Sequence, residues 1–111
     1  MRIVVTGGSG FIGRACLRVA ARAGHELLAV SRRPGPTTPG DGVRWIEADL
    51  NDPSSYRDAV AAFAPDATIH LAWEGIPDYG LDNSLRNMTA GARFAERIFA
   101  SGCRRLVAGG S

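Results

Sequence analysis

Short apolar runs alternate along this chain with longer segments whose apolar positions recur at helical spacing. The runs are nearly continuous, which is typical of strands buried on both faces of a parallel sheet. We predict such strands at residues 2–6, 26–30, 43–48, 67–72 and 105–108. Helices are predicted at residues 11–23, from Asp52 or Ser54 to Pro65, and at residues 81–101. The pattern indicates one α/β domain over residues 1–111.

This alternation also predicts the topology. Parallel strands joined by helices need right-handed crossovers, which place helices on both faces of the sheet. We therefore expect a three-layer, doubly wound parallel sheet of strand order 3-2-1-4-5, with a ligand crevice at the C-terminal ends of the strands. The side chains expected on the inner face of the first helix are Phe11, Ile12, Ala15, Val19 and Ala23. Residues 33–42, rich in proline and glycine, predict a surface loop.

A glycine-rich turn joins the first predicted strand to the first helix. Its glycines satisfy both G-x-G-x-x-G and G-x-x-G-x-x-G: Gly7, Gly8, Gly10 and Gly13. In such turns one glycine permits the tight turn, a second lets a pyrophosphate approach the backbone, and a third allows close packing of the helix. The free N–H groups near Phe11 and Ile12 would face the phosphates. The motif predicts a Rossmann-type dinucleotide site; the alternative is a tight connection without a ligand.

The end of the second strand indicates which dinucleotide is bound. An acidic residue there accepts a hydrogen bond from the ribose 2′-OH of NAD, whereas an arginine accommodates the 2′-phosphate of NADP. The strand ends in Val30-Ser31-Arg32-Arg33, and Arg32 lies 32 − 8 = 24 residues beyond Gly8. Arg32 and Arg33 therefore predict NADP, with NAD as the fallback. The alternative is that both are solvated loop charges.

Composition and charge argue against several classes of function. The formal net charge is +2, and no basic block exceeds two residues, so the sequence does not predict a nucleic-acid partner. We expect neither a signal peptide nor a membrane span, because no apolar run approaches the length needed to cross a bilayer. Cys16 and Cys103 lack metal-like spacing, so we predict no metal site, reduced thiols and a cytoplasmic protein.

Several segments together resemble the extended short-chain dehydrogenase/reductase family, the NAD(P)-dependent epimerase/dehydratase group. Residues 6–13, T-G-G-S-G-F-I-G, resemble one of the most specific motifs of that family. Ala48-Asp49-Leu50 is similar to the family's D-L pair after the third strand, and Ile69-His70-Leu71-Ala72 to its fourth-strand H-L-A segment. Asn87 stands where the family has a helical asparagine, and residues 106–111 resemble its fifth strand.

The resemblance implies roles for individual residues. Asp49 would contact the adenine, Leu71 and Ala72 would line the cofactor, and Leu50 and Asn87 would belong to the cofactor site. Ser111 would be the active-site serine just past the fifth strand. The cofactor-binding set is then Gly7, Gly10, Phe11, Ile12, Gly13, Arg32, Arg33, Asp49, Leu50, Leu71, Ala72 and Asn87. Alternatively, Asp49 begins a turn, and Asn87 holds backbone geometry. His70 is predicted to be a core histidine and not a catalytic one.

Family chemistry also uses a Tyr-x-x-x-Lys pair, but this sequence contains no lysine. We therefore expect the N-terminal part of a longer reductase or epimerase, truncated after the fifth strand and inactive alone. Its small-molecule substrate would be a nucleotide sugar or a similar carbonyl or alcohol compound. The residue pattern does not determine the oligomeric state; the resemblance allows a homodimer of the whole protein, because members of the family often pair. A non-catalytic NADP-binding, redox-sensing module is the alternative function.

Overall fold

A computed structural model describes residues 1–33, 35 and 41–109 of the chain. Its strands are β1 (Arg2–Thr6), β2 (Glu26–Ser31), β3 (Val43–Glu47), β4 (Ala67–His70) and β5 (Arg105–Ala108). Its α-helices are α1 (Phe11–Arg22), α2 (Arg57–Phe63) and α3 (Leu81–Ala100), and a short 3₁₀ helix spans Pro53–Ser55. Each predicted strand is present, with ends that differ from the prediction by at most two residues.

The strands form one parallel sheet of order β3-β2-β1-β4-β5, which confirms the predicted topology. β1 is central, and its Ile3 is in register with Leu27 of β2 and Ala67 of β4. Because both neighbours of β1 are parallel to it, the carboxyl ends of β1, β2 and β4 meet at one edge of the sheet. That edge is where chains of this topology bind ligands.

Two apolar clusters cover the two faces of the sheet, as strand alternation requires. Val4 of β1 belongs to the cluster beneath α2 and α3, which includes Tyr56, Phe94 and Ile98. The residues on either side of Val4 belong to the other cluster, which lies beneath α1 and consists of Ile3, Val5, Leu17, Leu27 and Ala29. The domain therefore has the three expected layers, helix–sheet–helix.

The predicted inner face of α1 is wrong. Phe11 is 92% exposed and Val19 is 67% exposed, and Ile12 and Ala23 are also exposed. The buried residues of the helix are Gly13 and Leu17. Both faces have apolar residues at helical spacing, so periodicity alone does not choose between them. Close contact between Gly13 and the glycine turn fixes the rotation of the helix, and Leu17 then points to the sheet.

Two further boundaries differ from the prediction. The segment after β3 splits into the 3₁₀ helix and α2 because Tyr56, with φ −126° and ψ −17°, interrupts the helical backbone. Ala64 then ends α2 in the left-handed region at φ 51°, consistent with the exclusion of helical geometry before Pro65. β4 ends at His70. The Leu71 N–H is shared between the backbone oxygen of Thr6 at 3.3 Å and its hydroxyl oxygen at 3.0 Å, and the Ala72 N–H donates to the hydroxyl oxygen.

Candidate functional site

A crevice of about 990 Å³ lies at the carboxyl ends of the strands. The glycine turn, the ends of β2 and β3, the segment after β4 and one side of α3 contribute to its walls. The structure brings together the predicted site residues Gly7, Gly10, Phe11, Ile12, Gly13, Arg32, Arg33, Leu50, Leu71, Ala72 and Asn87. Asp49 is not among the lining residues, and Ser111 lies outside the described residues.

Backbone sterics fix the glycine turn. Gly7 has φ +71°, and a Cβ there would lie 2.9 Å from the carbonyl carbon of Leu71 and from the nitrogen of Ala72. A Cβ on Gly13 would lie 2.0 Å from the carbonyl oxygen of Gly7, which no side chain can accommodate. Gly13 thus lets α1 start directly against the turn, and the first turn of the helix points into the crevice.

Gly10 has a different environment from Gly7 and Gly13. It is the N-cap of α1 with an ordinary extended backbone, φ −77° and ψ 174°. A Cβ there would meet protein only at 3.4 Å, at the Gly7 oxygen. The first intrahelical bond runs from the Arg14 nitrogen to the Gly10 oxygen at 2.9 Å, so the preceding N–H groups of α1 remain available to a ligand. An anionic group would fit this space, and the helix dipole would favour it.

Arg32 and Arg33 follow β2 and line the crevice beside the glycine turn. The Arg33 nitrogen donates to the Ser31 hydroxyl at 3.2 Å, which shapes the backbone at the strand end. The Arg32 side chain is 65% exposed, and its Nε lies 3.6 Å from Oε1 of Glu74, a residue in the segment after β4. Positive charge is therefore placed where the sequence predicted it, but with an acidic neighbour that the sequence pattern did not indicate.

In the segment after β3, the neighbouring residues Asp49 and Leu50 have different environments. The Asp49 carboxylate accepts hydrogen bonds from the backbone nitrogen of Asn51 at 2.9 Å and from its side-chain Nδ2 at 3.2 Å. These bonds form a turn, which is the alternative role considered for Asp49. Leu50 lines the crevice and packs against the core cluster that contains Val4.

Thr6 connects the end of β1 to the segment after β4. Its hydroxyl oxygen accepts from the N–H groups of Leu71 at 3.0 Å and Ala72 at 3.2 Å, and lies 2.7 Å from Nδ1 of His70. Because this oxygen already accepts two bonds, its proton is directed to Nδ1, and His70 is the neutral Nε2–H tautomer. Burial lowers the pKa of His70, and the ring stacks on Phe94 at 5.3 Å. His70 is half-buried and also lines the crevice, so it combines the core packing that the sequence predicted with a place in the wall of the site.

Asn87 of α3 holds the segment after β4 in place. Its Oδ1 accepts from the Glu74 nitrogen at 2.8 Å, and its Nδ2 donates to the Glu74 oxygen at 3.0 Å. Nδ2 also donates to the Asn83 oxygen at 3.0 Å, and Nδ2 of Asn83 donates to the Glu74 oxygen at 2.8 Å. Asn87 lines the crevice while its amide clamps the backbone of the loop.

Several crevice residues were not indicated by any sequence motif. Exposed apolar and aromatic side chains line the crevice after β4, and a cation from α3 lies beside them: Trp73, Ile76, Tyr79 and Arg86. Trp73 directly follows the H-L-A segment, and the resemblance gave it two roles, crowding of the nicotinamide pocket or packing. Ile76 and Tyr79 are large residues in a segment with loop composition, and nothing in the sequence indicated Arg86 of α3. Within the described residues, no group of His, Cys, Asp or Glu side chains could hold a metal ion. Over the same residues, no helix is long and apolar enough to span a membrane.

Comparison with known proteins gives the same family as the motifs. A model of the NAD dependent epimerase/dehydratase family matches residues 3–111. A 2-alkyl-3-oxoalkanoate reductase of Stenotrophomonas maltophilia is 37% identical over 114 residues, covering 96% of this chain and 32% of the relative. A dTDP-glucose 4,6-dehydratase of Mycobacterium tuberculosis is 33% identical over 91 residues, covering 75% of this chain and 27% of the relative.

A solved structure shows the same fold. The Bordetella bronchiseptica enzyme WbmG, crystallised in complex with NAD, superimposes with a TM-score of 0.83 at 23% identity. The match covers 97% of this chain and 36% of WbmG. The chain thus spans about a third of the length of the Stenotrophomonas maltophilia reductase and of WbmG.

Proposed function

This chain belongs to the NAD-dependent epimerase/dehydratase family, and from that premise we propose that its crevice binds a nicotinamide dinucleotide. The whole protein is then an NAD(P)-dependent reductase, epimerase or dehydratase. The observation that supports this most directly is the contrast within the glycine turn. Gly13 has no room for a Cβ, whereas Gly10 borders open space at the start of α1.

The residues of the turn fit a pyrophosphate. The N–H groups of Phe11, Ile12 and Gly13 precede the first intrahelical bond of α1 and would donate to phosphate oxygens. The backbone at Gly10 would allow the phosphates to approach closely, because no side chain intervenes. Leu50 offers an apolar surface for the adenine, and Leu71 and Ala72 continue the wall from the end of β4. When bound, the nicotinamide ring would supply the hydride acceptor or donor.

NADP is the preferred cofactor in this proposal, and NAD is the alternative. Arg32 and Arg33 lie at the strand end where a 2′-phosphate is recognised in folds of this topology. A guanidinium binds a phosphate through charge-assisted hydrogen bonds that a ribose hydroxyl cannot match.

The proposed substrate is a nucleotide sugar or a related small carbonyl or alcohol compound. Two features of the crevice support it: aromatic side chains, Trp73 and Tyr79, and a cation, Arg86. Aromatic rings suit sugar or base faces, and arginine suits a phosphate. The matched dTDP-glucose dehydratase acts on a nucleotide sugar, which is consistent with this class. We retain Ser111 as the proposed catalytic hydrogen-bond donor to the reacting oxygen.

Binding of NAD and NADP by the whole protein, measured by titration calorimetry, tests the site. Gly10→Val fills the phosphate space and should abolish binding of both dinucleotides without preventing folding. Gly80→Val is the matched control, because Gly80 is likewise a helix N-cap, with φ −64° and ψ 162°, but does not line the crevice. Unchanged affinity in Gly10→Val would contradict the site.

The same titration tests cofactor choice. Arg32→Ala and Arg33→Ala should each weaken NADP about tenfold more than NAD, since only NADP loses a phosphate contact. Arg57→Ala removes an exposed arginine that does not line the crevice and should leave both affinities unchanged. An equal loss for both cofactors in the Arg32 and Arg33 variants would contradict the NADP preference.

Catalysis is tested by following NADPH absorbance with keto-sugars, nucleotide sugars and simple ketones. Turnover by the whole protein supports the enzyme. Tight cofactor binding without turnover on any substrate would favour the non-catalytic binding module instead.

A further inference from the structure

Glu74 is held in place by its backbone and not by its carboxylate. Its N–H and carbonyl are bonded to the amide of Asn87 at 2.8 and 3.0 Å, and Nδ2 of Asn83 donates to the same carbonyl at 2.8 Å. The two asparagines of α3 therefore fix the position of the Glu74 backbone, and with it the place where the side chain begins. Changing the carboxylate to an amide would leave all three of these bonds intact.

The Glu74 carboxylate connects three strand ends. Oε1 lies 3.6 Å from Nε of Arg32, which follows β2, and Oε2 accepts from Nδ2 of Asn51, which follows β3, at 3.5 Å. Glu74 itself follows β4. All three residues line the crevice. The Glu74 side chain is only 27% exposed, against 65% for Arg32, so the carboxylate is the more enclosed member of the pair.

This geometry places a negative charge where a 2′-phosphate would have to bind. A phosphate at the end of β2 would need the Arg32 guanidinium, whose Nε faces Glu74. The phosphate would also bring its negative charge close to the Glu74 carboxylate, and two negative charges that lie close together repel each other. The ribose hydroxyl of NAD carries no charge, so it neither needs the Arg32 guanidinium nor is repelled by the carboxylate. Glu74 should therefore weaken the binding of NADP more than the binding of NAD.

We infer that Glu74 is a specificity-determining residue. Its carboxylate pairs with the Arg32 guanidinium and so lowers the affinity for NADP relative to NAD. This inference rests on the proposed dinucleotide site and concerns the balance between its two cofactors. The end of β2 lacks an acidic residue, and Glu74 brings one to the same place from the segment after β4. Cofactor choice is then set by the Arg32–Glu74 pair and not by the β2 end alone.

Glu74→Gln tests the inference by calorimetric titration of NADP and NAD into the whole protein. NADP should bind about three- to fivefold tighter than to the wild type, the effect expected for release of one exposed ion pair, while NAD changes little. Asp82→Asn is the matched control, because it removes the same charge from the first turn of α3, outside the crevice. It should leave the ratio of NADP to NAD affinity unchanged.

The Arg32→Gln background shows whether Glu74 acts through Arg32. There, adding Glu74→Gln should raise the NADP to NAD ratio less than it does when Arg32 is present, because only the direct repulsion between carboxylate and phosphate is left to remove. A ratio unchanged or lowered by Glu74→Gln alone would overturn the inference, as would the same gain with and without Arg32. If wild-type protein binds neither dinucleotide, the proposed function fails and the inference with it. Binding of both, without an effect of Glu74→Gln, overturns only the role of Glu74.

Discussion

The glycine turn at residues 7–13 and the loop at residues 71–80 both border the crevice, but different interactions hold them. Backbone sterics dominate the turn, where a Cβ on Gly13 would lie 2.0 Å from the Gly7 oxygen, and one side-chain bond, from the Ser31 hydroxyl to that of Ser9 at 3.2 Å, joins it to β2. The loop depends on side chains that reach it from elsewhere: Thr6 from β1, and Asn83 and Asn87 from α3. The turn needs glycine and little else, whereas the loop needs specific partners distant in sequence.

This difference assigns the two regions different parts in the proposed function. The turn presents backbone N–H groups to a ligand, beside the exposed side chains of Phe11 and Ile12, and such N–H groups suit a pyrophosphate common to every dinucleotide. The loop presents Trp73, Glu74, Ile76 and Tyr79, whose chemistry varies with sequence. Recognition of the shared part of a cofactor therefore belongs to the turn. In the proposed function, discrimination between cofactors belongs to Glu74 of the loop together with the arginines after β2, and discrimination among substrates belongs to the loop.

The largest expected change in stability comes from a substitution that disrupts the glycine turn. Gly13→Ala puts a methyl group into the backbone of Gly7, which cannot move without shifting α1, so we expect a loss of about 3 kcal/mol in the free energy of unfolding. Gly10→Ala should change that free energy by less than about 1 kcal/mol, because its Cβ has room and its φ is ordinary. Urea denaturation measures both. Equal losses in the two variants would contradict the steric account of the turn.

A smaller effect is expected from releasing the loop. Asn87→Ala removes three hydrogen bonds to the backbone of Glu74 and Asn83, which should lower the free energy of unfolding by about 2 kcal/mol. Dinucleotide affinity should fall as well, because the crevice wall loses its anchor. Thr89→Ala, an exposed change on the same helix, should lower stability by nothing measurable. If Asn87→Ala is as stable as the control, the loop is not held in this way.

The smallest effect concerns pH at the junction of the two regions. Burial lowers the pKa of His70, so the unfolded chain takes up a proton at a higher pH than the folded protein does. Stability is therefore complete above the ordinary value of about 6.5 and falls as the pH drops from there to the lowered folded value. The slope is at most about 1.4 kcal/mol per pH unit for this one group.

Urea denaturation between about pH 5 and pH 8, a range that spans the ordinary imidazole pKa, measures that slope. His70→Asn removes the titrating ring and should flatten the curve relative to the wild type. Identical pH dependence of the two proteins would show that His70 is not the group responsible.

Features that depend on local backbone geometry or on strand pattern were predictable. The glycine spacing predicted the turn and the open helix start, and continuous apolar runs predicted a parallel sheet whose order was confirmed. The rotation of α1 was predicted wrongly, since apolar residues at helical spacing occur on two of its faces. Only packing of Gly13 against the turn decides that Leu17 is buried and Phe11 exposed.

The sequence by itself determined where the chain can turn tightly and which segments must be buried, because sterics and hydrophobic periodicity act over a few residues. Only the tertiary structure decided that Glu74 faces Arg32 and that Asn87 clamps the loop. It also chose between the two roles that the sequence left open for Asp49, since the carboxylate bonds to its own turn. Asn87 reaches Glu74 because α3 lies beside the segment that precedes it. Arg32 and Glu74 lie far apart in the chain and meet because parallel strands end at one edge of the sheet. Their chemistry therefore depends on how the sheet aligns those ends.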